Sequence, residues 1–198
     1  MNKILSLCCT VALLMPGLAF AQDNDKPVTV KGAGGAPCAE AIRVFGPTGT
    51  DHDRGFYLQW VNGFSVGVAL AHEVVDVSPT GDPGDLVKIA LLICEEANFA
   101  EGIWHSAVAT AIGRMRPYWS NDPTRVSVTY ESNSYWFYQD VVMQLQTDLN
   151  LLGYNLTVDG NFGGQTGAAI ADIQSQINIP NMPVPTGPLF YAMTRPPL

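Results

Sequence analysis

The stretch from Val142 to Gln174 leaves this chain the fewest structural options. Val142, Leu145, Leu149 and Leu152 recur at spacings of three and four, the period of one buried helical face. Gln144, Asp148 and Asn150 fall on the opposite, solvated side. Gly153 follows at once, suited to the left-handed position that closes a helix, with Tyr154 after it. Val158 is expected to turn inward, Asp159-Gly160 to form a tight turn that tolerates positive φ, and Phe162 to anchor that turn. A second helix starts near Gly163 and buries Thr166, Ala169, Ile170 and Ile173, with Gln174 at its far end. Thr186-Gly187-Pro188 caps a third, Pro188 to Met193, with proline in its first turn.

This order resembles the three-helix peptidoglycan-binding family: V-x-x-L-Q-x-x-L, then L-G-Y, D-G-x-F-G-x-x-T, and an apolar residue before Gln. The matching positions are Val142, Leu145, Gln146, Leu149, Leu152, Gly153, Tyr154, Asp159, Gly160, Phe162, Gly163, Thr166, Ala169, Ile173 and Gln174. The resemblance covers residues 135–198 and implies binding of peptidoglycan without catalysis or cofactor. It points to Tyr154, Asp159, Phe162, Thr166 and Gln174 as ligand contacts. Asp159 has a second reading as a turn residue bonding its own backbone. Gly164 and Gly167 depart from the family pattern, and a glycine inside a helix costs about 1 kcal/mol against alanine. Residues 178–185 are proline-rich and lack the usual second Asp-Gly turn. Tyr135-Trp136-Phe137-Tyr138 reads either as a sugar-stacking platform or as filling between two structural units.

The first 21 residues read as an export leader. Lys3 supplies the positive start, Ile4 to Leu18 are mostly apolar, and Ala19-Phe20-Ala21 is a cleavage pattern before Gln22. Cys8 and Cys9 do not make a lipidation signal, because Leu7 stands where a small residue is needed. No later run is long enough to span a membrane. The expected location is the periplasm.

Without the leader, 9 basic residues face 18 acidic ones. Nucleic acid, whose affinity comes largely from basic contacts to phosphate, is excluded as a partner. Repulsion from an anionic wall is screened over roughly 8 Å at physiological salt, so binding there must rest on local hydrogen bonds and apolar contact. Two cysteines remain, Cys38 and Cys94, and in an oxidising compartment they form one disulfide. A metal pair or a nucleophilic thiol lacks a nearby His at ligand spacing. On the chain-entropy model a loop of this length stabilises by roughly 4 kcal/mol.

Residues 22–37, with their charge, proline and Gly-Ala-Gly-Gly run, read as an unpacked lead-in. Residues 38–117 read as a small helical unit. A short helix spans Cys38 to Phe45. Asp53 is the expected N-cap of a second, whose stripe is Phe56, Trp60, Phe64, Gly67, Ala71 and Val74. Pro83-Gly84-Asp85 opens a third through Leu86, Ile89, Ala90, Ile93 and Cys94. Asn98 with Glu101 reads as a capping box for a fourth, carrying Ile103, Ala107, Ala111 and Ile112 to Pro117. Residues 118–134 are a connector in which Val126 to Tyr130 alternate as one extended arm.

Cys38, the run Gln59-Trp60-Val61-Asn62-Gly63-Phe64-Ser65-Val66-Gly67 and Cys94-Glu95-Glu96-Ala97-Asn98 resemble exported two-cysteine helical proteins, the HdeA-type acid-stress chaperones and type VI secretion immunity proteins. That likeness implies a protein partner for this unit. Glycines at Gly63 and Gly67 also suit any close helix crossing.

The apparent catalytic motifs dissolve on inspection. Gly63-Phe64-Ser65-Val66-Gly67 matches G-x-S-x-G, but that elbow needs a strand before it and a parallel sheet beneath. His52, His72 and His105 lack metal-ligand spacing, and no metal site is expected. Glu95 and Glu96 are adjacent on a helix and diverge by about 100°. The chain therefore reads as a mainly all-α, non-enzymatic envelope protein that binds peptidoglycan. Alternatives are an immunity or chaperone-type binding module, or an accessory or remnant of a wall hydrolase.

Overall fold

Cys38 and Cys94 are joined, with Cα atoms 5.4 Å apart, in the computed structural model, which describes residues 30–99 and 101–195. The leader, with Cys8 and Cys9, lies outside the described residues. The bridge ties the start of α1 (Cys38–Phe45) to the end of α3 (Pro83–Cys94). Between them runs α2 (Asp51–His72), and α4 (Trp104–Arg114) packs along α3.

Thr50, not Asp53, caps α2: its Oγ1 accepts from the Asp53 N–H at 3.1 Å and donates to the Asp53 carboxylate at 2.8 Å. The buried face of α2 is Tyr57, Val61, Ser65 and Ala69, one residue round from the expected stripe. Tyr57 wins the inward place because Phe45 and Trp104 receive its ring, with centroids 6.0 and 5.8 Å away. Phe56, Gly67 and Ala71 are exposed as a result, while Trp60 and Phe64 stack at the edge. A Cβ added at Gly63 or Gly67 would meet nothing within 4 Å, so neither glycine serves a helix crossing.

The Gly-Ala-Gly-Gly run is packed rather than loose. Gly32–Gly35 form a 3₁₀ turn beneath Trp60, whose indole N–H donates to the Lys31 carbonyl at 3.1 Å. A Cβ on Gly34 would lie 2.1 Å from the Trp60 ring, which explains the glycine. Residues 22–29 lie outside the described residues.

The fourth helix begins later than the Asn98/Glu101 pairing suggests. Ala97–Phe99 form a 3₁₀ turn, the Asn98 side chain lies outside the described residues, and Ile103 is an extended, half-exposed N-cap. The Trp104 N–H donates instead to the Ala36 carbonyl at 2.8 Å, and Cys38 N–H to Gly102 at 2.9 Å. The strand-like pairing of this segment with the lead-in thus replaces a side-chain cap.

The expected arm is one half of a hairpin. β1 (Arg125–Tyr130) pairs antiparallel with β2 (Asn133–Tyr138) through a Glu131-Ser132 turn in which both residues have positive φ. The aromatic run assigned to a platform or filler supplies the missing partner strand.

α5 (Gln139–Leu151) buries Val141, Val142, Leu145, Gln146 and Leu149. Gly153, at φ 100°, closes it: Tyr154 N–H reaches the Leu149 carbonyl at 3.2 Å and Gly153 N–H the Asn150 carbonyl at 3.1 Å. The helix ends before Leu152 can turn inward, leaving it 59% exposed, and Val158 is likewise 41% exposed. α6 (Gly164–Gln176) and α7 (Gly187–Met193) follow within a residue of the expected bounds, with Pro188 in the first turn of α7 but no side-chain cap from Thr186.

One apolar cluster runs from Ala33 to Tyr191 without a break at residues 118–134. α7 packs on α3, where a Cβ on Gly187 would lie 2.7 Å from the Asp85 carbonyl. Tyr118 meets Phe190 edge-on at 4.8 Å and donates to Asp148 at 2.6 Å. Asp148 is thereby drawn into the junction rather than left facing water. Burial pushes the Tyr118 hydroxyl far above its ordinary range.

Candidate functional site

Gln146 organises the turn between α5 and α6. Its side chain is almost wholly buried, so every polar atom needs a partner. Its carbonyl oxygen accepts from the Asp159 N–H at 3.1 Å and the Gly160 N–H at 3.0 Å. Its amide nitrogen donates to the Asn161 carbonyl at 2.9 Å and lies 3.3 Å from Thr166 Oγ1. One side chain thus replaces the strand or helix partner that the turn backbone lacks.

The turn residues obey the same logic. Asp159 Oδ1 accepts from Asn161 N–H at 2.8 Å, and hydrogen bonding from Asn161, with Gln146 behind it, holds the carboxyl below its ordinary value. Gly160 has φ 71° and sits so close to α5 that a Cβ would lie 2.4 Å from Gln139 Cγ. Phe162 stacks on Phe137 at 5.5 Å, nearly parallel, and so fastens the turn to the hairpin.

The five sequence candidates occupy three places. Asp159 and Thr166 converge on Gln146, with Phe162 beside them. Gln174 is fully buried elsewhere: it donates to the Val184 carbonyl at 3.0 Å and accepts from Met182 N–H at 2.8 Å. It is the internal brace of the proline-rich loop. Tyr154 stands apart, donating to Asp172 at 2.5 Å, with Gln176 3.0 Å from the same carboxylate. Burial first, then the Asp172 carboxylate, raises the Tyr154 hydroxyl above its ordinary value. Tyr154, Asp172 and Gln176 form a polar surface triad; Thr166 and Gln174 face inward.

Phe137, which stacks on Phe162, also lines an open cleft of about 480 Å³. Its walls are the loop before α3 and that helix's first turns, from Thr80 to Lys88, the strand residues Arg125 and Ser134 to Tyr138, and Met182, Pro185 and Thr186 of the proline-rich loop. The aromatic run divides between both roles that the sequence offered. Phe137 and Tyr138 are buried, and Tyr138 donates to Asp76 at 3.1 Å across the junction, whereas Trp136 is 56% exposed.

The motifs that looked catalytic in the sequence have structural surroundings here. Ser65 lies mid-helix and donates to the Asn62 carbonyl at 2.9 Å. Glu96 is bonded to Arg114 while Glu95 ends α3. Among the described residues no three His, Cys, Asp or Glu side chains gather as a metal site, and no helix is long and apolar enough to cross a membrane.

Residues 138–181 match the family model described as a putative peptidoglycan binding domain. Over that span the chain is similar to this family of wall-binding domains. The match takes in α5, the Gly153 stop, the Gln146-bound turn and α6, and leaves the disulfide-linked helices outside. No curated protein and no solved structure matches the chain.

Proposed function

We propose that this is an exported envelope protein that binds peptidoglycan without cleaving it and keeps its disulfide-linked helical unit at the wall. The observation that carries this reading is the match over residues 138–181, which falls on an intact helix–turn–helix. The leader pattern at residues 1–21 and the disulfide suit the periplasm. The buried positions of Thr166 and Gln174 leave Tyr154, Asp159 and Phe162 as the direct contacts among the five candidates, with Thr166 and Gln174 holding their surroundings in shape. Co-sedimentation of residues 22–198 with purified sacculi tests the reading: enrichment above a serum-albumin control is expected. A zymogram on embedded sacculi is expected to stay opaque.

A second reading assigns the helical unit a protein partner, as the HdeA-type and immunity-type likeness implies. The outer face of α2 favours it: Phe56, Val66 and Leu70 are 54%, 51% and 76% exposed, and Gly63 and Gly67 lie on the same side. If neither a candidate immunity target nor an acid-denatured client binds residues 22–198, this reading falls; binding that survives Leu70→Glu would move the contact off this face of α2.

A further inference from the structure

The hairpin has two unlike faces. Val126, Val128, Tyr135 and Phe137 turn toward the protein, while Arg125, Ser127, Thr129, Ser134 and Trp136 turn outward. The register sets Ser127 opposite Trp136 and Arg125 opposite Tyr138 on that outer face. An indole this exposed, among hydroxyl side chains, presents an apolar plane with polar groups round it, which is the surface that a pyranose ring needs.

The charges of the adjoining cleft sort themselves equally clearly. Asp82 accepts from Gly84 N–H at 2.8 Å and is spent as the cap of α3. Asp85 holds Lys88 Nζ at 2.8 Å. Arg125 donates one N–H to the Tyr138 hydroxyl at 2.9 Å and lies 4.9 Å over that ring, yet pairs with no carboxylate among the described residues. Its remaining N–H donors are available for an anion in the cleft. The cleft is also continuous with the family-matched stretch: Tyr138 opens that stretch, and Met182 to Thr186 follow its end directly.

We propose that this cleft, separate from the Tyr154 surface, binds a muropeptide, an N-acetylated amino sugar carrying a stem peptide with free carboxylates. Trp136 stacks on the sugar ring, Arg125 takes a carboxylate, and Ser134 and Thr186 offer hydroxyls to the polar edges. This rests on the peptidoglycan reading above and deepens it by naming a second contact region and its two recognition elements.

The test uses residues 22–198 as wild type, Trp136→Ala, Trp136→Tyr and Arg125→Gln, with melting curves to confirm folding. Each is titrated with a disaccharide-tetrapeptide and with the uncharged dimer of N-acetylglucosamine, then sedimented with sacculi. Trp136→Ala is expected to weaken both soluble ligands at least tenfold, and Trp136→Tyr to stay within a few-fold of wild type. Arg125→Gln is expected to weaken the carboxylate-bearing ligand alone. If wild type pellets with sacculi and folded Trp136→Ala and Arg125→Gln bind both ligands equally well, the cleft assignment is overturned while wall binding stands. If wild type neither pellets nor binds, both readings fall together.

Discussion

Arg114 grips Glu96 through two parallel contacts of 2.8 and 3.0 Å, so the last turn of α4 is bolted to the end of α3. Tyr191 of α7 donates to the same carboxylate, and Arg114 and Arg195 lie 5.4 and 5.0 Å over its ring. One carboxylate therefore joins the disulfide-linked helices to the last helix of the chain. The site is mostly enclosed, with the Glu96 side chain 16% exposed, so the pair is more than a screened surface contact.

The first prediction concerns pH. Arg114, and after it Tyr191, hold the Glu96 carboxyl down to about 2, against an ordinary 4.5. A carboxylate depressed on folding contributes stability above its ordinary value and loses it as pH falls through the depressed one. The contribution is thus present above about pH 4.5 and disappears toward pH 2. Melting curves of Glu96→Gln are expected to show a loss of about 2 kcal/mol at pH 7 and a flatter fall in acid.

Gln146 makes a sharper case, because one side-chain oxygen accepts from both amides of the turn. Gln146→Leu is similar in size but strands the buried N–H of Gly160 and the half-buried N–H of Asp159, at a cost of about 1–3 kcal/mol. Amide hydrogen exchange at Gly160 is expected to quicken more than exchange in α3. An unchanged rate would mean that the turn is held by other means.

Glycines give predictions of opposite sign. Gly63→Ala on the open face of α2 meets nothing and is expected to stabilise by about 0.5–1 kcal/mol. Gly160→Ala combines a positive φ with contact against Gln139 and is expected to destabilise by more than 1 kcal/mol. Denaturant midpoints of the two variants should move in opposite directions.

Reduction of the Cys38–Cys94 bridge, or Cys38→Ser with Cys94→Ser, releases a link spanning 56 positions and is expected to cost roughly 4 kcal/mol. The melting temperature of the oxidised protein should fall on adding reductant, whereas that of the double variant should not respond.

These residues also show how far a sequence reading reaches. Leu145, Leu149, Gly153 and Gly160 are legible because periodicity and left-handed backbone are local matters. The face of α2 is not, since Phe56, Trp60, Phe64 and Tyr57 crowd one arc of about 100°, and a small turn of the helix decides which of them meets the core. The choice falls to Tyr57 through Phe45 and Trp104, which are distant in the chain. The hairpin escapes notice because Glu131-Ser132 lacks the Asn-Gly or Asp-Gly signature of a two-residue turn. At the site, Gln146 is visible as a matched residue, but its role depends on bonds to a turn thirteen or more positions away. Thr166 and Gln174 read as polar handles until burial shows both pointing inward. Trp136 and Arg125 acquire a common face only once β1 and β2 are paired.

The most direct test of the account is a binding isotherm of residues 22–198 on purified sacculi, with soluble muropeptides as competitor. Saturable pelleting that the muropeptides release is the predicted result. A pellet fraction equal to that of serum albumin, at low and at moderate salt, would contradict the assignment to the wall.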